Sequence, residues 1–469
     1  MRTEERIMRR SNLFKVTLLI LLLSGCTIGP KYVIPHVSMP AGFKESADWK
    51  KAQPQDQIVR GSWWKVFHDS QLDALEEQVN ISNQNIAFAQ AQYAQAYALV
   101  QAAKSSFFPV LTVDASYTRS HPASGGKKSQ FALGGDVSWE LDLWGRIRRT
   151  IESNRANAQV AQADLENAKL SAQAQLAQDY YQLCSLDAQE KLLGDTQVIY
   201  KKFLELTKNR YAGGVAAQSD VLQAQTQLET IQAQQIDVGV QRSQLEHAIA
   251  LLMGRPASNF SITHSELPHQ VPSIPQGLPS EILERRPDIA SAERAVASAN
   301  ALIGVAESAY FPTLTLSGSG SYQASNLSNI FSSPNPLWSV GPALAETIFD
   351  AGLRQAKTAQ AKAVYDQNVA QYRQTVLTAF AQVEDNLAAL RILEQEASLQ
   401  DAAVEDATKA VSIETNQYKA GTVSALDVIN TQAIALNNQR TQVTILAQRL
   451  NASVLLIQNL GGGWDTSKE

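Results

Sequence analysis

Cysteine is almost missing from this chain: of 469 residues only Cys26 and Cys184 are cysteines. With Cys26 in the N-terminal leader, no intrachain disulfide framework is available, and Cys184, inside a helical run, reads as core filler. Charge is scarce as well, 18% of residues with a net of -5, and no basic run is interleaved with aromatics, which excludes a nucleic acid partner. The six histidines, His36, His68, His121, His247, His264 and His269, form no helical pair at metal-ligand spacing, so no metal is expected. Gly461-Gly-Gly lacks the Lys-Ser/Thr of a phosphate loop, and no serine stands in a nucleophile elbow. Catalytic residues and cofactors are therefore not expected, and the chain reads as no enzyme. Proline is absent from 145 to 255 and from 343 to the end. Because an interior proline costs a helix ~3 kcal/mol, those tracts are where helices run unbroken.

The leader is informative in turn. Arg9-Arg10, the apolar run Val16 to Leu23 and the small residues before Cys26 make a secretory signal over 1–25, with Met1 or Met8 as start. The run falls well short of the ~20 residues that a spanning helix needs. Leu23-Ser-Gly-Cys26 resembles a bacterial lipobox, which implies cleavage before Cys26 and a lipid on that residue. Thr27 stands where an Asp would resemble an inner-membrane retention signal, so the outer membrane is the expected destination.

A repeat organises the rest. Tyr211, Gly214, Asp220, Val221 and Gln225 recur 207 positions later as Tyr418, Gly421, Asp427, Val428 and Gln432, and Met253-Gly254 returns as Leu460-Gly461. Phe108-Pro109 and Phe311-Pro312 are 203 apart. Two copies of so long a unit suggest a duplicated hairpin rather than a solenoid. The expected organisation is a lipid-anchored lead over 26–70, a first repeat over 71–277 and a second over 278–469. The first repeat divides into a helix over 71–107, strands over 109–143, a helical hairpin over 145–253 and a linker over 254–277. The second has a helix over 279–310, strands over 312–348, a hairpin over 352–459 and a C-terminal tail.

Within the hairpins the periodicity is that of a coiled coil. Ile147, Ile151, Ala158, Ala161, Leu165, Ala168 and Ala172 alternate in fours and threes, and Ile231, Val238, Leu245 and Leu252 recur every seven. At 1.5 Å per residue the outgoing helix spans roughly 100 Å and the return about 50 Å, so 72–107 and 279–310 are candidates for the missing length. Tyr211-Ala-Gly-Gly ends the outgoing helix with residues that tolerate a left-handed backbone.

After each Phe-Pro the period becomes two. Leu111, Val113, Ala115 and Tyr117 alternate with Thr112, Asp114, Ser116 and Thr118, and Phe131, Leu133, Val137, Trp139, Leu141 and Leu143 alternate with Asp136, Ser138, Glu140 and Asp142. Leu314, Leu316 and Tyr322 repeat the pattern against Thr315, Ser317, Ser319 and Ser321. Strands of this kind occur in transmembrane barrels and in soluble sandwiches; the envelope address favours the barrel. Four strands cannot close a barrel, so copies must pool theirs, and a dimer, trimer or tetramer all remain open.

Ser138-Trp-Glu-Leu-Asp-Leu-Trp-Gly-Arg146, Arg285-Arg-Pro-Asp-Ile289 with its continuation through Ile303-Gly-Val-Ala306, the tip Tyr418-Lys-Ala-Gly-Thr-Val-Ser-Ala-Leu-Asp-Val428 and Leu460-Gly-Gly-Gly-Trp464 resemble TolC-like outer membrane factors. Gly29-Pro-Lys-Tyr32 after the cysteine is similar to the opening of the OprM/NodT-type efflux lipoprotein branch. The resemblance implies a mainly α chain with a membrane β-barrel segment, closing in a homotrimer as a twelve-stranded outer membrane barrel on a long α-helical periplasmic barrel. It implies a passive multidrug or xenobiotic exit duct docking on a periplasmic adaptor and an inner membrane RND-type transporter. A conduit for type I protein secretion or for metal-ion efflux is the alternative, and a non-conducting envelope tether is the rival from another class.

The same resemblance implies roles at the tips. Asp220 and Asp427 would line the periplasmic constriction, and Tyr211, Gly213, Gly214, Tyr418, Gly421 and Thr422 would meet the adaptor. Capping of the return helices is the plainer role for both aspartates. Some relatives carry Arg where Val423 stands and Asp where Asn430 stands, so closure without salt bridges is expected here.

Overall fold

The structure is a computed structural model that describes residues 27–37, 62–121, 123, 125–268, 270–272, 286–331 and 337–462. The signal, Cys26, residues 38–61, Arg285 and the tail beyond 462 lie outside the described residues. The chain forms two compact units, one from Met1–Val37, Ala91–Gln162 and Ser291–Gln374, the other from Ser38–Gln90, Ala163–Ala290 and Thr375–Glu469. Among the described residues the helices are α1 (Ser70–Ser82), α2 (Gln84–Ser105), α3 (Arg146–Ala212), α4 (Gln218–Leu252), α5 (Pro287–Ser308), α6 (Leu353–Ala420) and α7 (Ala425–Asn459). The two long helices occupy the two proline-free tracts. No helix among the described residues is long and apolar enough to cross a membrane.

The first unit holds a single sheet of β1 (Val110–Ser120), β2 (Lys128–Leu141), β3 (Thr313–Ala324) and β4 (Leu337–Ala345), all neighbours antiparallel in that order. The repeat thus contributes two hairpins that pair through β2 and β3. Trp144 fastens the hairpins at their base: its indole N–H donates to the Pro312 carbonyl at 2.8 Å and its ring stacks on Phe311.

The second unit holds the helical core. Trp63, Leu72, Leu176, Tyr180, Tyr181 and Leu450 are fully buried in one cluster, and Leu193, Tyr200, Ile231, Val238 and Val428 lie in another. Ile231 and Val238 are buried, and Leu245 and Leu252 pack against the clusters, so the seven-residue repeat is the buried stripe of α4.

The single helix expected over 71–107 is two helices. Asn83 is extended, its amide donates to the Leu252 carbonyl at 2.8 Å, and its Oδ1 accepts from the N–H groups of Asn85 and Ile86. It therefore caps α2 while tied to the end of α4. Asp69 caps α1 in the same way, accepting from Gln71 and Leu72. Arg286, from the block that carries the resemblance, is 7% exposed; it grips Asp288, Gln382 and the Asn459 carbonyl, fixing the start of α5 to the end of α7.

Candidate functional site

Pairing register shows what the sheet offers to its surroundings. Directly paired residues of an antiparallel sheet share a face. One face carries the rows Leu111–Val137–Gly318–Val340, Val113–Gly135–Gly320–Trp338 and Trp139–Leu316–Pro342, with Tyr117 against Phe131 at 4.7 Å between ring centres. The other carries Thr112–Asp136–Ser319–Ser339 and Val110–Ser138–Ser317–Gly341. The apolar face is open: Leu111 is 69% exposed, Trp338 77% and Val340 79%. A soluble protein rarely leaves so continuous an apolar surface uncovered. β1 and β4 are edges, each with one row of backbone groups left for another chain.

Beside this sheet, in the same unit, the segment from Thr27 to Pro30 is held tightly. Arg149 donates to the carbonyls of Ile28, Gly29 and Pro30 at 3.0 to 3.1 Å, and the Ile28 N–H donates to the Trp144 carbonyl. A Cβ on Gly304 would stand 2.8 Å from the Ile28 oxygen, and one on Gly145 would stand 2.9 Å from the Thr27 methyl. That close approach explains the glycines of Trp-Gly-Arg and Ile-Gly-Val-Ala. Cys26 itself lies outside the described residues.

At the far end of the hairpins, in the second unit, the two repeats stop their outgoing helices identically. The Val215 N–H returns to the Arg210 carbonyl and Gly214 to Tyr211; 207 positions on, Thr422 returns to Gln417 and Gly421 to Tyr418. Gly214 and Gly421 take the required positive φ, 72° and 80°. Each aspartate then sits at the third position of its return helix. Asp427 accepts from the Ser424 N–H at 2.9 Å and its hydroxyl at 2.7 Å, while Ser424 Oγ accepts from the Asp427 N–H, a reciprocal capping box. The Ser424 hydroxyl, then its N–H, hold the Asp427 carboxyl below the usual carboxylate range. Asp220 makes half of this arrangement, accepting from the Ala217 N–H at 3.3 Å, because Ala217 has no oxygen to answer. Asp427 is exposed and Asp220 half-buried.

The two tip tyrosines are not equivalent. Tyr211 is 47% exposed, whereas Tyr418 is buried against Phe203, its hydroxyl at 3.4 Å from Thr207 Oγ1. Arg210 lies 4.6 Å over the Tyr418 ring and donates to the Tyr418 carbonyl at 2.7 Å. Gly213, Gly214, Gly421 and Thr422 are exposed. Arg210, Thr207 and Arg149 were not signalled in the sequence, since each matters through a partner more than 100 residues away.

The profile of the outer membrane efflux protein family matches residues 75–255 and 278–462. The solvent efflux pump outer membrane protein SrpC of Pseudomonas putida is 30% identical over 469 residues, covering 96% of this chain and 98% of that protein. Nodulation protein T of Rhizobium leguminosarum bv. trifolii is 29% identical, covering 95% of this chain and 96% of that one. Among solved structures, the outer-membrane channel OprN superposes with a TM-score of 0.85 at 31% identity, over 94% of this chain and all of that one.

Proposed function

The chain belongs to the outer membrane efflux protein family, and from that premise we propose how this efflux channel is assembled and what it meets. Three copies pool their sheets into one twelve-stranded barrel, apolar face to lipid and polar face to a water-filled lumen. The carrying observation is the four-stranded sheet with one continuous apolar face and two free edges, because the smallest membrane barrels need about eight strands. Cys26 carries lipid; the docking of residues 28–30 beside β2 supports an anchor next to the barrel.

The duct is passive. Efflux pumps of this family work with adaptor and transporter partners, and we assign this chain a periplasmic adaptor and an inner membrane RND-type transporter, which supplies the energy. The adaptor meets the exposed tip at Tyr211, Gly213, Gly214, Gly421 and Thr422, while Tyr418 braces the tip from inside. Asp220 and Asp427 of the three copies line the constriction as well as capping their helices.

Purified full-length protein reconstituted in a planar bilayer tests the reading. The expected result is a trimer by native mass measurement and stepwise conductance across the bilayer. A monomer without conductance, under conditions that fold the helices, would overturn it.

A further inference from the structure

In the middle of α3, far in sequence from any tip, Asp187 and Glu190 stand one helical turn apart, and His264 comes across from the linker that follows α4. His264 Nε2 lies 3.2 Å from Glu190 Oε2 and 3.6 Å from Asp187 Oδ1, and the three ligand atoms all fall within 4.8 Å of one another. Ligands at the usual ~2.0–2.2 Å from a tetrahedral zinc sit about 3.3–3.5 Å from each other. The spacing of the two contacts at Nε2 is thus that of ligands around one small cation. We infer that Asp187, Glu190 and His264 bind a divalent transition-metal cation of the Zn2+ type, which clasps the linker to α3.

The surroundings are built for it. The linker is fixed on both sides of His264: the Ile262 carbonyl accepts from Arg242 at 2.8 Å, the Ile262 N–H donates to Glu246, and the Ser265 N–H donates to Asp187 Oδ2 at 3.1 Å. The imidazole is therefore presented with little backbone freedom to lose. Arg242 Nε donates to Asp187 Oδ1 at 2.6 Å, which orients the buried carboxylate as a second layer does around a ligand. Shared with Glu246, that guanidinium offsets only part of the negative charge around the site, which a dication would complete. His264 is 62% exposed at its side chain, so the metal has an entry path. The three residues line a cavity of about 1120 Å³ whose wall adds Asp195, Glu266 and Asp401 against Lys191 and Arg449, an acidic field that attracts cations. Three protein ligands leave one position for water on the cavity side. An imidazole nitrogen with carboxylate oxygens suits Zn2+ and excludes the oxygen-only preference of Mg2+ or Ca2+.

This site is separate from the efflux reading, and its test uses the metal alone. Untagged full-length protein is stripped with a chelator and titrated with Zn2+ by calorimetry, beside His264→Ala, Glu190→Gln and the control His121→Ala. One Zn2+ per chain is expected in the wild type and in the control, with affinity at least about 100-fold weaker in His264→Ala and a comparable loss in Glu190→Gln. Zn2+ should raise Tm in the wild type and leave it unmoved in His264→Ala. Both ligand changes fall on side chains outside the core, so folding is retained and circular dichroism confirms it. Equal Zn2+ binding in all four proteins, or none in the wild type, would overturn the assignment, as would Mg2+ competing at equal concentration.

Discussion

Glu76 lies in α1 with both carboxylate oxygens enclosed and without a hydrogen-bond partner among the described residues. Burial, and then the charge of Asp73, push its carboxyl well above the usual range. The folded state therefore favours protonated Glu76 more than the unfolded chain does. Its stabilising contribution is present below the ordinary glutamate pKa and is lost as pH rises toward the folded one. Glu76→Gln keeps the shape and a polar group but removes the ionisation, so it should raise stability at pH 7, and the gain should shrink at acid pH, where the carboxyl is already protonated. The same change should flatten the decline of Tm as pH rises above the ordinary glutamate pKa, and a wild-type slope in the variant would show that Glu76 is not the group responsible. Nothing in the sequence marks Glu76, because an acid within an amphipathic helix reads as a solvated position until the helix's surroundings are known. Tyr418 was half legible: the repeat equates it with Tyr211, but only the packing of Phe203 and Arg210 around it turns one tyrosine inward and leaves the other outside.

Elements were more legible than residues wherever a period was long. The proline-free tracts and seven-residue stripes give α3, α4, α6 and α7 almost to their ends, since tight helix stops need the glycines that the sequence displays. The break at Asn83 was not legible, because the Leu252 carbonyl that ties the asparagine between the two helices is 169 positions away in sequence. Strand alternation gave the two faces, weakest in β4, where Gly341 and Pro342 interrupt the pattern. The partners of His264 were hidden for the same reason as those of Asn83, being 74 and 77 positions away. The faces can be checked by paired substitution. Val137 belongs to the apolar row with Leu111 and Val340, and Ser138 to the polar row with Val110 and Ser317. Val137→Arg should cost ~2–4 kcal/mol at the bilayer midplane and reduce insertion, while Ser138→Arg should insert normally and change conductance. Heat-modifiable mobility and bilayer conductance read the two outcomes; equal behaviour would mean that the strand phase is not one of lipid against lumen.

For the whole molecule, the proposed anchor and barrel would make separable contributions. Cys26→Ser should abolish lipid labelling yet leave the protein in outer membrane fractions, since the apolar band of a membrane barrel holds it in the bilayer without the lipid. Departure of that variant from the membrane would mean that the four strands do not insert. Assembly also decides what the tip aspartates do. In one chain Asp220 and Asp427 are N-terminal helix residues whose charge suits the helix dipole. In the proposed trimer, six such carboxylates would converge on a narrow mouth, and acidic rings of that kind select cations. The pore should accordingly prefer cations and be blocked by divalent or trivalent cations added on the periplasmic side. Ser424 holds Asp427 ionised below the ordinary carboxylate range, so block should survive acidification through the pH where a free aspartate loses its charge. Ser424→Ala should move the loss of block to higher pH, because it removes the hydrogen bond that depresses the pKa. Asp220→Ala and Asp427→Ala should each weaken block and the double variant should abolish most of it, measured as current against added cation. Block that persists in the double variant would put the cation site elsewhere and leave both aspartates with helix capping as their whole task.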